Sequence, residues 1–469
     1  MTPFAGGLIT CTGPFCQGLL NQGAAMRLPF VVVVLAALTA CAPGAQVSKN
    51  RTSGETGVGF GPPSGLMNAG SIGGTSALGQ DFMDLTFAME SGRQLSVFSR
   101  FEGPITVAMT GEIPATAARD LGALVDRLKD EAAINIAVIP SGAASITVEF
   151  TERSTLRQLA PQAACFVVPN VASLAEYRTK RGTSAVDWAE VTLRERAAIF
   201  LPSDTTPQEI RDCLHEELAQ ALGPLNDLYR LSESVFNDDN FHSVLTDFDM
   251  TILQATYAPG LASGMTRAEV AARLPGVLGS PASAALSEAP LPWIKAIETA
   301  LGRQGSANAR KAAADEALYL AQAAGWQDGR LAFSHFAIAR LNAGSNPERA
   351  LQAFGAAAAI YARQPSGALQ VAHVDMQLAA MALSGGLPQD ALQLADRAIP
   401  VVQRHENAAL LATLMLIKAE ALARLGDVAA AEALRMDSQP WARYGFGSDV
   451  VIQARMRDIA AVAERGMRG

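Results

Sequence analysis

The 469 residues include 37 Lys and Arg against 45 Asp and Glu, a net charge of −8, with 49% hydrophobic and 17% charged residues. A chain this apolar is not disordered as a whole, and its length suits roughly two to four domains. An acidic balance without a dense Lys/Arg block lacks the electrostatic footprint of a nucleic-acid binder, and five histidines and five cysteines argue against multi-site zinc modules.

Near the N-terminus, Met26-Arg27 precedes the apolar run LPFVVVVLAAL and then Leu38-Thr39-Ala40-Cys41. A charged start, a short apolar stretch and small residues before a cysteine describe a secretory signal, too short to span a bilayer, which takes about 20 apolar residues. Residues 1–25 fit neither a signal nor a fold, so the true start is expected at Met26 and the signal peptide over 26–40. The string resembles a bacterial lipobox, which implies cleavage before Cys41 and lipidation of that residue. Membrane attachment would then be through the N-terminal lipid, in the cell envelope facing the periplasm. Ala42 is not the Asp that marks inner-membrane retention in enteric bacteria, which favours the outer membrane. Residues 41–80, rich in Gly, Ser and Pro, read as the lipidated cysteine and a flexible tether.

From residue 81 the pattern changes to short β-like runs at 95–98, 104–109, 134–139, 145–150, 164–168 and 197–201, with helical stretches near 115–130 and 206–222. A mixed α+β domain over 81–278 is expected. Once the leader is removed, Cys165 and Cys213 remain in an oxidising compartment, where they could form a disulfide or stay as two buried free thiols. A Pro/Ala/Ser-rich linker over 279–291 leads to an almost wholly helical region, 292–469. There a turn followed by an Ala-rich helix recurs, placing Ala350, Ala391 and Ala431 at intervals of 41 and 40 residues. Such a period indicates stacked helix pairs. The array resembles tetratricopeptide repeats, departing from their period of roughly 34 residues and from their large aromatic positions. An irregular helical bundle is the alternative.

Chemistry is best sought in the helix that opens at Thr206-Pro207-Gln208-Glu209, a sequence with an N-cap, Pro at the first position and Glu placed to complete a capping box. The helix should end at Gly223 in a left-handed cap. Read from His215, the pattern H-E-x-x-H fails at Ala219. Shifted by one residue, Glu216 to Asn226 overlays the metzincin pattern H-E-x-x-H-x-x-G-x-x-H at its general base, Glu217, and at Gly223. All three ligand positions are changed, to Glu216, Gln220 and Asn226. Carboxylate and amide oxygens are poor zinc ligands and suit a hard cation or none.

Downstream, Ser234-Val235-Phe236 stands where metzincins have Ser-x-Met. The segment Leu245 to Tyr257 resembles the closing helix of matrixins, with Asp249, Leu253, Gln254 and Tyr257 in matching places. With the lipobox, EELAQALGPLND, SVFNDDNF, LTDFDMTILQATYAP and GMTR, the chain resembles the proteobacterial family called domain of unknown function 2927 over roughly 85–275. That resemblance implies a secreted zincin-like domain without its zinc ligands, and no established activity.

The expected architecture is therefore a zincin-like α+β domain followed by an all-α helical-repeat domain. The expected function is a non-catalytic binding or scaffold lipoprotein whose cleft or repeat array takes a protein or peptide partner, with no cofactor and no nucleic acid. The alternative is a metal-dependent peptidase or amidase with Glu217 as base and a divalent cation on Glu216, Gln220, Asn226 or Asp227. His215 with His242 is a weaker zinc candidate. Asn237 to Asn240 could offer oxygens to Ca²⁺, but without EF-hand spacing an Asx-turn is the better reading.

Overall fold

The structure, a computed structural model, describes residues 75–161, 163–279, 289–302 and 304–465. The expected signal peptide, Cys41, the tether up to residue 74 and most of the linker lie outside the described residues. Among the described residues no helix is long and apolar enough to cross a membrane.

Helix α1 (Thr75–Thr86) takes the last residues expected to be tether. It folds because Phe82 and Leu85 are fully buried, while Asp81 and Asp84 face the Arg230 guanidinium at 2.8 and 3.0 Å. The β-rich runs become β1 (Ile105–Gly111), β2 (Ile136–Val138), β3 (Ile146–Thr151), β4 (Phe166–Pro169) and β5 (Ala197–Pro202). Between them lie α2 (Ala117–Ala132), α3 (Arg153–Leu159) and α4 (Leu174–Lys180). The five strands form one mixed sheet in the order β2-β1-β3-β5-β4, parallel except for the antiparallel edge strand β4. The run at 95–98 is not a strand of this sheet. Val97 makes an isolated bridge to Thr266, and its neighbours bond to the loop that precedes α7 (Arg267–Leu278), far from a free sheet edge.

Strand β5 shows why the sheet is covered on both faces. Ala198 and Phe200 pack with Leu156, Val168 and Leu174 on one side. Ala197, Ile199 and Leu201 join the main core with α2 and α5 (Pro207–Leu222) on the other. Alternate residues serve opposite faces, and both sets are apolar, as a central, doubly covered strand requires. After α5 the chain runs through a long loop to α6 (Asp247–Thr256) and then α7.

Among the described residues nine further helices follow: α8 (Leu291–Leu301), α9 (Ala307–Ala323), α10 (Gly329–Asn342), α11 (Pro347–Tyr361), α12 (Ala368–Ser384), α13 (Pro388–Arg404), α14 (Ala408–Arg424), α15 (Val428–Phe446) and α16 (Asp449–Arg465). The pairs α10/α11, α12/α13 and α14/α15 pack closely, and their first helices begin at Gly329, Ala368 and Ala408, 39 and 40 residues apart. Ala350, Ala391 and Ala431, the repeating positions of the sequence, are all completely buried near the starts of the second helices. A small side chain there lets paired helices approach. Gly445 goes further, since a Cβ on it would stand 2.5 Å from the Ala409 backbone.

The two regions do not pack as independent units. Tyr229 and Phe241, from the loop after α5, belong to the core of the first helices. Phe241 sits among Phe333, Phe336, Tyr361 and His373 at ring-centroid distances of 4.8 to 5.8 Å. Polar contacts extend this seam: Gln208 Nε2 donates to Asn407 Oδ1 at 3.1 Å, Ala409 N to Gln208 Oε1 at 2.7 Å, Arg211 Nη1 to the Glu406 carbonyl at 2.7 Å and Tyr444 OH to Asp120 Oδ2 at 3.0 Å.

Candidate functional site: a carboxylate cluster on helix α5

Helix α5 starts as its sequence suggests, with the Thr206 hydroxyl accepting from Glu209 N and Pro207 at the first position. The capping box is only half made. The Glu209 carboxylate turns instead to Arg153 and Thr205, because a guanidinium is a stronger partner than a backbone N–H. The expected left-handed cap at Gly223 is also absent: its φ is −167°. Glycine is needed for space, since a Cβ would lie 2.9 Å from Thr256 Cγ2.

The end of the helix is held by Arg194. Its guanidinium donates to the carbonyls of Gln220 (2.7 Å), Ala221 (2.8 Å) and Gly223 (2.6 Å), and its face lies 4.7 Å from the Trp188 ring centroid. The residue is almost wholly buried, and burial lowers its pKa to about 10, so it remains cationic at neutral pH. A cation at the negative end of the helix dipole fixes the last turn, which carries Gln220 and lies between Glu216-Glu217 and Asn226-Asp227 in the chain. Tyr257 OH adds a bond to the Leu222 carbonyl at 3.0 Å. The segments resembling Met-turn and closing helix are tied together by fully buried Asp249. It accepts from Ser234 Oγ at 2.5 Å, Val235 N at 3.2 Å and Thr246 N at 2.8 Å.

On this scaffold Glu216, Glu217 and Asp227 meet Glu90 and Asp238 in one acidic cluster. Glu217 is 4% exposed, and its Oε2 has no hydrogen-bond partner. Asp227 shares a hydrogen bond with Glu90 and leaves its Oδ1 unpaired. Burial, and then the charges of Glu216 and Glu90, push the Glu217 carboxyl far above the usual range. Burial and the charges of Glu90 and Asp238 raise Glu216 to about 7, and burial with the Glu90 charge raises Asp238 to about 6. Like charges crowded out of water can be relieved by protons, by a ligand's positive group or by a cation.

The other sequence candidates separate. Gln220 donates to Glu90 Oε1 at 3.1 Å and Asn226 to the Asp84 carbonyl at 3.0 Å, so both amides orient neighbouring groups. Cys165 and Cys213 form a disulfide with Cα atoms 6.1 Å apart, joining the edge-strand segment to α5. Cys165, Glu216 and Glu217 are the described group whose ligand atoms all lie within 4.8 Å of one another. The sulfur is engaged in the disulfide and offers no thiolate, which leaves two carboxylates. His215 accepts from Leu245 N through Nδ1 at 3.1 Å, and His242 packs against His405, so the suggested pair serves two different places. Asn237 and Asp239 make the expected Asx-turns, accepting from Asp239 N at 3.0 Å and Phe241 N at 3.1 Å.

Sequence reasoning missed Glu90, a charge in a turn, and Arg194, which opens the run Arg194-Glu195-Arg196 before β5; both are brought to the site from other segments. It also missed a groove of about 530 Å³ between edge strand β4 and residues 182–188, lined at one end by Met89, the neighbour of Glu90. Residues 75–276 match the family model described as Protein of unknown function (DUF2927), from the start of α1 into α7. No curated protein and no solved structure matches the chain.

Proposed function

We propose that the chain is a lipid-anchored envelope protein, attached through Cys41 and facing the periplasm from the outer membrane. Its zincin-like α/β domain serves as a non-catalytic binding module, beside a tetratricopeptide-like scaffold. The observation that carries the reading is the chemistry of α5. Where a zinc hydrolase needs imidazole, the helix presents Glu216 and Gln220, and His215 is turned to Leu245. Zinc sites are built from nitrogen and sulfur donors with few carboxylates; these residues do not fit zinc, and no hydrolytic step is routed through it.

The partner favoured by the geometry is an extended peptide. Strand β4 lies at the sheet edge, and the groove beside it is lined in part by Met89, the chain neighbour of Glu90. Strand addition supplies main-chain hydrogen bonds, and the carboxylates favour a basic side chain at one end. A second reading rests on the unpaired Oε2 of Glu217 and Oδ1 of Asp227. A hard divalent cation held by Glu216, Asp227, Gln220 and Asn226 would leave Glu217 as general base of a peptidase or amidase.

Glu217→Gln separates the two. In a binding module the variant takes up a basic peptide as the parent does, because Glu217 is buried and an amide keeps its shape, while burial and the charges of Glu216 and Glu90 already disfavour its charged form. In a hydrolase it abolishes turnover. Metal analysis after dialysis and reloading with Ca²⁺, Mn²⁺ or Zn²⁺ completes the test: a stoichiometric ion lost from the Glu216→Ala/Gln220→Ala double variant, with peptide cleavage, overturns the non-catalytic reading.

A further inference from the structure

Three of the chain's five histidines converge at the seam between the two regions, away from the carboxylate cluster. His242 comes from the loop after α5, His373 from the middle of α12 and His405 from the end of α13. The His242 and His405 rings are 5.4 Å apart, edge to face, and His373 stands 4.8 Å from Phe241, the residue next to His242. His242 and His373 are 7% and 9% exposed, and the Nε2 of each has no hydrogen-bond partner. Two unsatisfied imidazole nitrogens buried at one seam are costly, and no protein group is bonded to either of them.

We propose that His242, His373 and His405 form a binding site for one borderline transition-metal ion, with Zn²⁺ the best fit. Three neutral imidazoles and an open fourth position suit zinc, whereas an all-nitrogen set is wrong for Ca²⁺ or Mg²⁺. Protons do not compete for these nitrogens. Burial, with each other's charge and those of Arg340 and Arg404, lowers His242 and His373 to about 3 and His405 to about 4. The three ring nitrogens do not yet lie within 4.8 Å of one another, so an ion draws the rings together. His405 closes a helix end and is the least enclosed of the three, which makes it the ligand that turns in. The bound ion ties a loop of the α/β region to α12 and α13 and so locks the seam.

The test is titration of the full chain with Co²⁺, read by its visible absorption, with Zn²⁺ as competitor. One equivalent with the intense bands of a four-coordinate nitrogen site is expected, displaced by Zn²⁺, and Zn²⁺ should raise the thermal midpoint. His405→Gln and His373→Gln should each weaken binding at least about 100-fold, in keeping with the loss of a direct ligand. Glu216→Gln/Glu217→Gln should leave it unchanged, which separates this site from the carboxylates. Should a histidine variant fail to fold, Cu²⁺ bound to the parent chain reports its ligands by electron paramagnetic resonance, and a multi-nitrogen pattern is expected. No Co²⁺ uptake by the parent chain, unchanged uptake in His405→Gln, or an oxygen-only Cu²⁺ spectrum would each overturn the proposal.

Discussion

The carboxylate cluster on α5 and the imidazole cluster at the seam are built from the same physical situation and opposite chemistry. Each gathers titratable groups out of water and leaves two atoms without partners: Glu217 Oε2 and Asp227 Oδ1 in one, His242 Nε2 and His373 Nε2 in the other. Burial drives both sets toward neutrality, raising the acids and lowering the bases. The difference lies in the ligands they invite. Oxygen donors select hard cations or basic side chains, and nitrogen donors select zinc-like ions. The zincin resemblance leads one to look for nitrogen on α5, whereas three of the chain's imidazoles, His242, His373 and His405, meet at a different interface.

The sharpest way to break this comparison is to remove the support of one cluster alone. Arg194→Met strips three bonds from the buried carbonyls at the end of α5, and a loss of roughly 3–5 kcal/mol is expected in denaturant titrations. The carboxylate cluster should lose its geometry with it. Reducing the Cys165–Cys213 disulfide, which closes a loop of 48 residues, should cost roughly 2–4 kcal/mol, seen as a lower unfolding midpoint in a thiol reductant.

A smaller effect distinguishes the clusters by sign. Glu216, Asp238 and Asp239 hold their protons in the folded chain up to about 7, 6 and 8, higher than in the unfolded chain. Their contribution is complete below the ordinary carboxylate pKa and is lost as pH rises through the folded values. Without a cation, stability should therefore decline between about pH 4.5 and 8. Glu216→Gln should flatten that limb. The seam histidines act the other way: they are neutral when folded, so stability is lost as pH falls from about 6.5 toward 3 to 4. His405→Gln should soften only this lower limb, in thermal melts taken across the pH range. The least effect is expected from the surface pair Arg349–Asp315, both sides of which are more than 40% exposed. Arg349→Gln should change stability by less than about 1 kcal/mol, and less still at high salt.

Much of the architecture can be read along the chain because it depends on local periodicity. β1 to β5 were all expected from apolar, β-prone runs of the right length. The recurring alanines announced the helix pairs, since only a small residue fits where both helices meet. The run at 95–98 misled because β-propensity does not reveal whether a sheet edge is available. Thr75 to Gln80 misled because a Gly/Ser-rich flank hid the helix signal of Phe82 and Leu85.

The candidate site was legible in part. Glu216 and Glu217 stood out because a helix places residues of fixed spacing on known faces, and Asp227 because it follows the helix beside Asn226 in the motif. Glu90 and Arg194 could not be found in this way, since their role arises from contacts with segments remote in sequence, whereas Asp238 was noticed only as part of an acidic loop and not as a neighbour of Glu216. The sequence by itself determined the strands, the helix pairs, the N-cap of α5 and the substitution of oxygen for nitrogen at the ligand positions, all consequences of residue type and short-range spacing. Only the tertiary structure decided that Gly223 is required for contact with Thr256, that Cys165 meets Cys213 and that His242 lies against His405. Those facts depend on which surfaces meet when remote segments pack together, and no local pattern encodes that meeting.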